Sequence, residues 1–178
     1  MKLQTERLAI RPFSEDDAGM ILELVNDGEW LRFIGDKNVH SLDDARRYLR
    51  EGPIAMFARL GHGLCCVERS SDGAAIGMCG LLKRDSLDDV DLGFAFLPAA
   101  RGQGYACEAA AACLAHGLGA LGLRRIVAIT DIDNHASARV LENAGLRFER
   151  QLPTGADGKA LRLFAIEAGG AIPATVKA

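Results

Sequence analysis

The chain has 178 residues, of which 49% are hydrophobic and 25% charged, proportions that fit one soluble globular domain. Its net charge of −3 gives no case for a nucleic-acid face, which would be basic, and no apolar run reaches membrane-spanning length. The opening MKLQTERLAIRPF is charged throughout, unlike an export signal, so the expected setting is the cytoplasm.

The first strand is expected in TERLAIRPF, where Leu8 and Ile10 alternate with Arg7 and Arg11 until Pro12. Ser14 then reads as the N-cap of a helix, since SEDDAGMILELVND has acids in its first turn and apolar residues at helical spacing. GEWLRFIGDKN is a connecting segment, either a short helix or a loop, that carries Trp30, Phe33 and Ile34. Ser41 caps a second helix over LDDARRYLR. HGLCCVERS, AAIGMCGLLKR and DDVDLGFAFLP are short apolar stretches separated by SSDG and DSLDD, the pattern of an antiparallel meander.

A helix is expected from about 104 to 117, then strand RRIVAITD. The amphipathic NHASARVLENAG has Asn134 near its start and Gly145 as its C′ residue. LRFERQL and KALRLFAIE are the closing strands around a PTGADG turn. Residues 168–178 read as a frayed tail, leaving 1–167 as one domain. Strands on both sides of central helices predict a mixed α/β (α+β) fold around one sheet.

The cysteines are Cys65, Cys66, Cys79, Cys107 and Cys113, an odd count without a C-x-x-C or zinc-ligand spacing, so no metal is expected. They read as small buried hydrophobes, with Cys107 set apart at a helix start. Three glycine patterns compete for a phosphate. Gly158–Lys159 is followed by Ala160, which excludes a P-loop. Gly117, Gly119 and Gly122 match a dinucleotide fingerprint but follow a helix and precede a strand, the reverse of what that geometry needs. The remaining pattern is Arg101-x-x-Gly104-x-Ala106, after a strand ending at Pro98 and at the start of a helix. Glycine backbone comes close to a ligand there, and N–H groups of residues 102–107 can converge on a diphosphate. An ordinary strand-to-helix turn would use the same glycines.

Arg101-x-x-Gly104-x-Ala106 resembles the pyrophosphate signature of the GNAT superfamily, which transfers acetyl groups from acetyl-CoA to amines. TERLAIRPF resembles the opening strand of its RimJ/RimL-like branch. GYACEA is similar to that branch's GYATEA, and NHASARVLENAGLRFE to its N-x-x-S-x-R-V-L-E-K-x-G-F segment. The likeness runs from about residue 3 to 167 and implies a GNAT fold, with helices on both faces of a mostly antiparallel sheet and a splayed strand pair holding acetyl-CoA.

The resemblance implies that Phe94, Ala95 and Phe96 pair with the pantetheine arm. Arg101, Gly102, Gln103, Gly104, Tyr105, Ala106 and Cys107 would hold the diphosphate. Asn134 contacts the cofactor, and Ser137, one turn on, lies near the sulfur. Asp91, where relatives often carry a glutamate, is the candidate base, with a solvated strand-edge acid as the other reading. Ser137 is the candidate proton donor, because the position of the family's tyrosine is Leu141. Ser137 reads equally as a helix-start hydroxyl. His135 as base and Cys107 as an acylated nucleophile are weaker alternatives, since the family resemblance implies direct transfer in a ternary complex.

Trp30 and Phe33 are expected on the acceptor wall, or as core beneath a loop. Asp36, Asp43 and Asp44 either attract a cationic acceptor or cap helices. The acceptor classes left open are a protein N-terminus, a free amino acid, and a polyamine or drug amine. A catalytically silent acyl-CoA-binding module is the competing function. Exposed C-terminal strand edges suit a homodimer.

Overall fold

The computed structural model describes residues 2–153 and 158–172. Most of the expected PTGADG turn and the end of the tail lie outside the described residues. Among the described residues one sheet has eight strands: β1 (Leu3–Gln4), β2 (Leu8–Pro12), β3 (Leu64–Arg69), β4 (Ala75–Leu82), β5 (Val90–Phe96), β6 (Arg125–Asp131), β7 (Arg147–Leu152) and β8 (Leu161–Glu167). Their order is β1-β2-β3-β4-β5-β6-β8-β7. Every neighbouring pair is antiparallel except β5 and β6.

The opening strand differs from the expectation. TERLAIRPF is not continuous: a turn closed by Thr5 N–H to Leu8 O (2.9 Å) makes β1 and β2 a hairpin. The side chain of Thr5 reinforces that turn by accepting from Leu8 N–H at 3.0 Å. Alternation then sends Leu8 and Ile10 to one face of the sheet, with Cys65, Val67, Cys79 and Leu81. Cys66 and Met78 go to the other face.

Each face carries its own helices. On one side lie α1 (Ala18–Val25), α2 (Gly28–Phe33) and α3 (Leu42–Leu49). Their core holds Ile21, Leu24, Trp30 and Leu49. GEWLRF is therefore a helix, N-capped by Asp27, whose carboxylate accepts from Glu29 and Trp30 N–H. Ser14 opens a 3₁₀ turn (Glu15–Asp17) that precedes α1; its N–H donates to the Asp17 carboxylate at 2.9 Å. Asp17 is also clamped by two Arg11 hydrogen bonds of 2.9 and 2.8 Å.

Helix α3 does not stop at Arg50. A wide π turn over Arg50–Ile54 carries it into α4 (Ala55–Leu60), which ends at Gly61 with φ 74°. The π turn accommodates Pro53, which has no N–H to give an α-helical bond.

The opposite face carries α5 (Tyr105–Leu118) and α6 (His135–Asn143). Alanine dominates the middle of α5, and Ala109–Leu114 are all nearly inaccessible, so the helix sits close to the sheet. Gly117 ends that contact: a Cβ there would stand 2.6 Å from both Ile126 and Leu81 side chains. The 117–122 glycines thus serve packing and a helix-ending turn. Past β8 the chain continues in contact, with Ile172 packed against the core. Cys65, Cys79 and Cys113 are wholly buried among apolar residues beneath α5, and burial pushes the Cys65 thiol up to about 12.

Glu108 fastens α5 to the hairpin. It is 2% exposed and accepts from Thr5 Oγ1 (2.6 Å), Arg7 N–H (2.9 Å) and Arg7 Nε (2.7 Å). Burial alone would raise its pKa, but these donors hold the carboxyl below the ordinary glutamate value. A carboxylate with a depressed pKa stabilises the fold above its unfolded value, and this contribution is lost as pH falls through the folded value. Glu108→Gln should therefore cost about 1–3 kcal/mol at neutral pH by urea denaturation, with the gap to wild type narrowing in acid.

Candidate active site

The ladder between β5 and β6 has only two rungs, Val90–Ile126 and Asp91–Val127. Beyond them β5 continues to Phe96 beside β4, and β6 continues to Asp131 beside β8. The strands have parted, leaving Leu92–Phe96 and Ala128–Asp131 with one backbone edge each turned to the gap. A cleft of about 970 Å³ fills it. Its walls include Trp30 and Met78 from one core and Leu92, Phe96, Tyr105 and Leu141 from the other, so it passes through the sheet from face to face.

The phosphate turn lies at the C-terminal end of β5. A short 3₁₀ turn (Pro98–Ala100) leads into it, and Gly102 and Gly104 adopt φ of 73° and 81°. The first N–H of α5 to find an acceptor is that of Glu108, at Gly104 O (3.1 Å). Among the described residues, the N–H groups of 102–107 meet no protein acceptor. Unsatisfied donors at a helix start are an anion site in waiting. Gly102, Gly104, Tyr105, Ala106 and Cys107 all line the cleft.

The arginine of the signature is spent otherwise. Arg101 donates Nε to Phe96 O (3.0 Å) and pairs with Asp27 and Glu29, so its charge is offset and it ties the turn to α2. Gln103 bonds Ala99 O at 2.7 Å and does not line the cleft. The cation beside the turn that sequence reasoning missed is Arg7. It donates to Gln103 O (2.9 Å) and lies over the Tyr105 ring at 4.7 Å. Tyr105 packs. The signal for Arg7 was too distant in sequence to read.

Asn134 caps α6 by accepting from Ser137 N–H at 2.9 Å. That leaves the Ser137 hydroxyl with no protein partner among the described residues, on the same cleft-lining face as Asn134 and Val140. Phe94, Ala95 and Phe96 form the β5 wall, and Trp30 and Phe33 stand on the α2 wall. Trp30 is also core, with Nε1 bonded to Gly35 O at 3.1 Å. Asp43 and Asp44 pair with Arg46 and Arg47, and Asp36 accepts from Asn38 N–H at 2.7 Å, so none of the three faces this cleft.

Asp91 is not solvated; it is 1% exposed. Arg84 donates Nε to its Oδ2 at 2.9 Å, and Oδ1 is buried without a partner. Burial pushes the carboxyl up, against the pull of Arg84 and Lys83. Asp91 stands behind Arg84, and it is Arg84 that lines the cleft. Among the described residues no group of three or more His, Cys, Asp or Glu could hold a metal ion, and no helix is long and apolar enough to cross a membrane.

Residues 7–147 match the model of the acetyltransferase (GNAT) domain. The chain is 28% identical over 159 residues to the uncharacterized N-acetyltransferase YnaD of Bacillus subtilis, covering 87% of this chain and 90% of that one. Among solved structures, a GNAT-family acetyltransferase from Bacillus anthracis superposes with a TM-score of 0.82 at 25% identity, over 95% and 99% of the two chains. RimL, a ribosomal L7/L12 α-N-protein acetyltransferase in complex with coenzyme A, shares the fold with a TM-score of 0.80 at 18% identity, over 94% and 98%.

At Gly104 a side chain would meet both a strained φ and Arg7 Nη2, 3.3 Å from the added Cβ. Gly104→Val should abolish binding of coenzyme A in a calorimetric titration while leaving the far-ultraviolet circular dichroism spectrum unchanged. Unaltered affinity would remove the diphosphate from this turn.

Proposed function

Because the chain belongs to the GNAT acetyltransferase family, we propose that it is an acetyl-CoA-dependent N-acetyltransferase of the RimJ/RimL-like type. Its acceptor is a primary amine, of a protein N-terminus or a small molecule, attacking directly in a ternary complex. One observation carries this reading: a single cleft runs from the unpartnered N–H groups of 102–107, through the parted strands, to the wall of Trp30 and Phe33. The residues present fit the cofactor, with a diphosphate on the turn and a narrow arm along Phe94–Phe96.

Bound acetyl-CoA supplies an activated acetyl thioester. The chain's own residues orient it and manage protons. Backbone N–H groups on the free edge of β5 supply fixed dipoles where negative charge grows on the carbonyl oxygen. The Ser137 hydroxyl, freed from capping by Asn134, hydrogen-bonds the departing sulfur and relays to it a proton taken from water. Asp91, whose raised pKa favours taking up a proton, receives the amine proton through water, since Arg84 stands between it and the cleft. The pairing of Arg101 with α2 links cofactor site and acceptor wall. The same reading sets the protein in the cytoplasm and assigns β7, exposed along almost all of its length at the sheet edge, to pairing with a second copy.

Thiol release from acetyl-CoA across a panel of amines tests the proposal; saturable coenzyme A binding with no release for any amine would favour a silent binding module, a reading that Leu141 in the tyrosine position also suits. Ser137→Ala should lower kcat by about tenfold or more with little change in KM. Asp91→Asn should depress kcat/KM more at low pH than at high pH, where the free amine needs no base; a uniform loss would make Asp91 structural.

A further inference from the structure

We infer that the acceptor is a small amine that also carries a carboxylate, which Arg84 binds at the end of the cleft away from the phosphate turn. This rests on the transferase reading above and names its substrate class.

Arg84 uses only Nε on the protein. Its partner is Asp91 Oδ2, and its two terminal amino groups have no acceptor among the described residues. Asp91 is buried, so it fixes the guanidinium while leaving the outer donors turned away from it, the fork that a carboxylate fits. The side chain is 44% exposed and lines the cleft. Tyr48 and Lys37 share this wall, and neither side chain makes a hydrogen bond or ion pair among the described residues.

Of the acids near the cleft, Asp131 at the end of β6 has no cation and accepts only from Asp133 N–H, but the others are matched. Asp27 and Glu29 are held by Arg101, and Asp91 by Arg84. Asp131 lies four residues beyond Val127, the partner of Asp91, so the Arg84 end of the cleft has cationic donors to spare and no unmatched carboxylate, which suits an acceptor with an anionic group there. The site is separate from the diphosphate turn. At about 3.3 Å per residue, Asp91 and Phe96 are about 17 Å apart along β5, too far for one phosphate group to serve both ends. The apolar residues Leu82, Leu64 and Trp30 line the same cleft and suit a hydrocarbon spacer. Lys159 Nζ donates to Phe33 O (3.0 Å) and Arg32 O (3.4 Å), joining α2 to the chain entering β8; both line the cleft, and the tie restricts the access an extended peptide needs.

Trp30 is the only tryptophan and lines the cleft, so its fluorescence reports acceptor binding. The protein saturated with coenzyme A is titrated with ω-amino acids from glycine to 6-aminohexanoate, with glutamate, and with the matching methyl esters and alkylamines. We expect at least one amino acid to bind about tenfold or more tightly than its ester and its alkylamine, with an optimum in chain length. Arg84→Gln should erase this preference without changing coenzyme A affinity. Should that variant fail to fold because Asp91 loses its partner, Arg84→Lys and Lys37→Gln should each weaken the preference several-fold. Equal binding of acids, esters and alkylamines overturns the inference, as does a carboxylate preference that survives all these variants. Thiol release is measured in parallel: transfer to amines regardless of carboxylate sinks only this inference, whereas coenzyme A binding without transfer to any amine sinks the transferase reading.

Discussion

Everything at the site depends on two strands that stop pairing. The β5–β6 ladder ends after Asp91 and Val127, and from that point each strand keeps only its other neighbour. Unpaired backbone inside a protein is costly unless water or a ligand satisfies it, at about 1–3 kcal/mol for each buried group. The parted edges are therefore a standing demand for a polar partner that is narrow enough to lie between strands. A pantetheine arm with its amides meets that demand, and an apolar chain would not.

The turn beyond β5 depends on a more distant contact. Gly102 and Gly104 allow its shape, but Arg7 and Glu108 hold it, one from the turn between β1 and β2 and the other from α5. The division of labour between the arginines follows from what each can reach. Arg101 is occupied by Asp27, Glu29 and Phe96 O, so the turn attracts anions chiefly through its N–H groups and the helix start. Arg7, 45% exposed and paired to a buried carboxylate, adds donor geometry more than net charge.

What the sequence made legible was local. Gly104 before an alanine-rich run, Asn134 three residues before Ser137, and Ser41 three before Asp44 are signals contained within one turn, and α5, α6 and α3 begin as they indicate. Strand alternation was equally readable, and with it the antiparallel meander of β3, β4 and β5; the mostly antiparallel sheet as a whole was implied by the family resemblance. Illegible were features that need two distant segments or an exception to a local rule. Thr5 and Arg7 meet Glu108 from about a hundred residues away, so TERL looked like strand. The second helix was expected only over LDDARRYLR, whereas a π turn carries it past Gly52–Pro53 into α4. Asp91 sits between two hydrophobic residues in an alternating strand, a pattern that normally turns an acid to solvent. Here α1–α3 cover that face, and Arg84 completes the burial.

Asp91 and Arg84 also tie the chemistry to recognition. A buried carboxylate is held ionised only while its cation stays near; drawn toward an incoming carboxylate, Arg84 gives less to Asp91 and leaves it more basic. Burial already pushes Asp91 in that direction, and its Oδ1 has no protein partner to oppose protonation. An acceptor bearing an acid group would thus raise the proton affinity of the residue proposed to collect its amine proton through water. An acceptor without one would leave Arg84 fully on Asp91 and the base weaker. Under the proposed roles of Asp91 and Arg84, selectivity and proton transfer would share one ion pair, with discrimination at the chemical step as well as at binding.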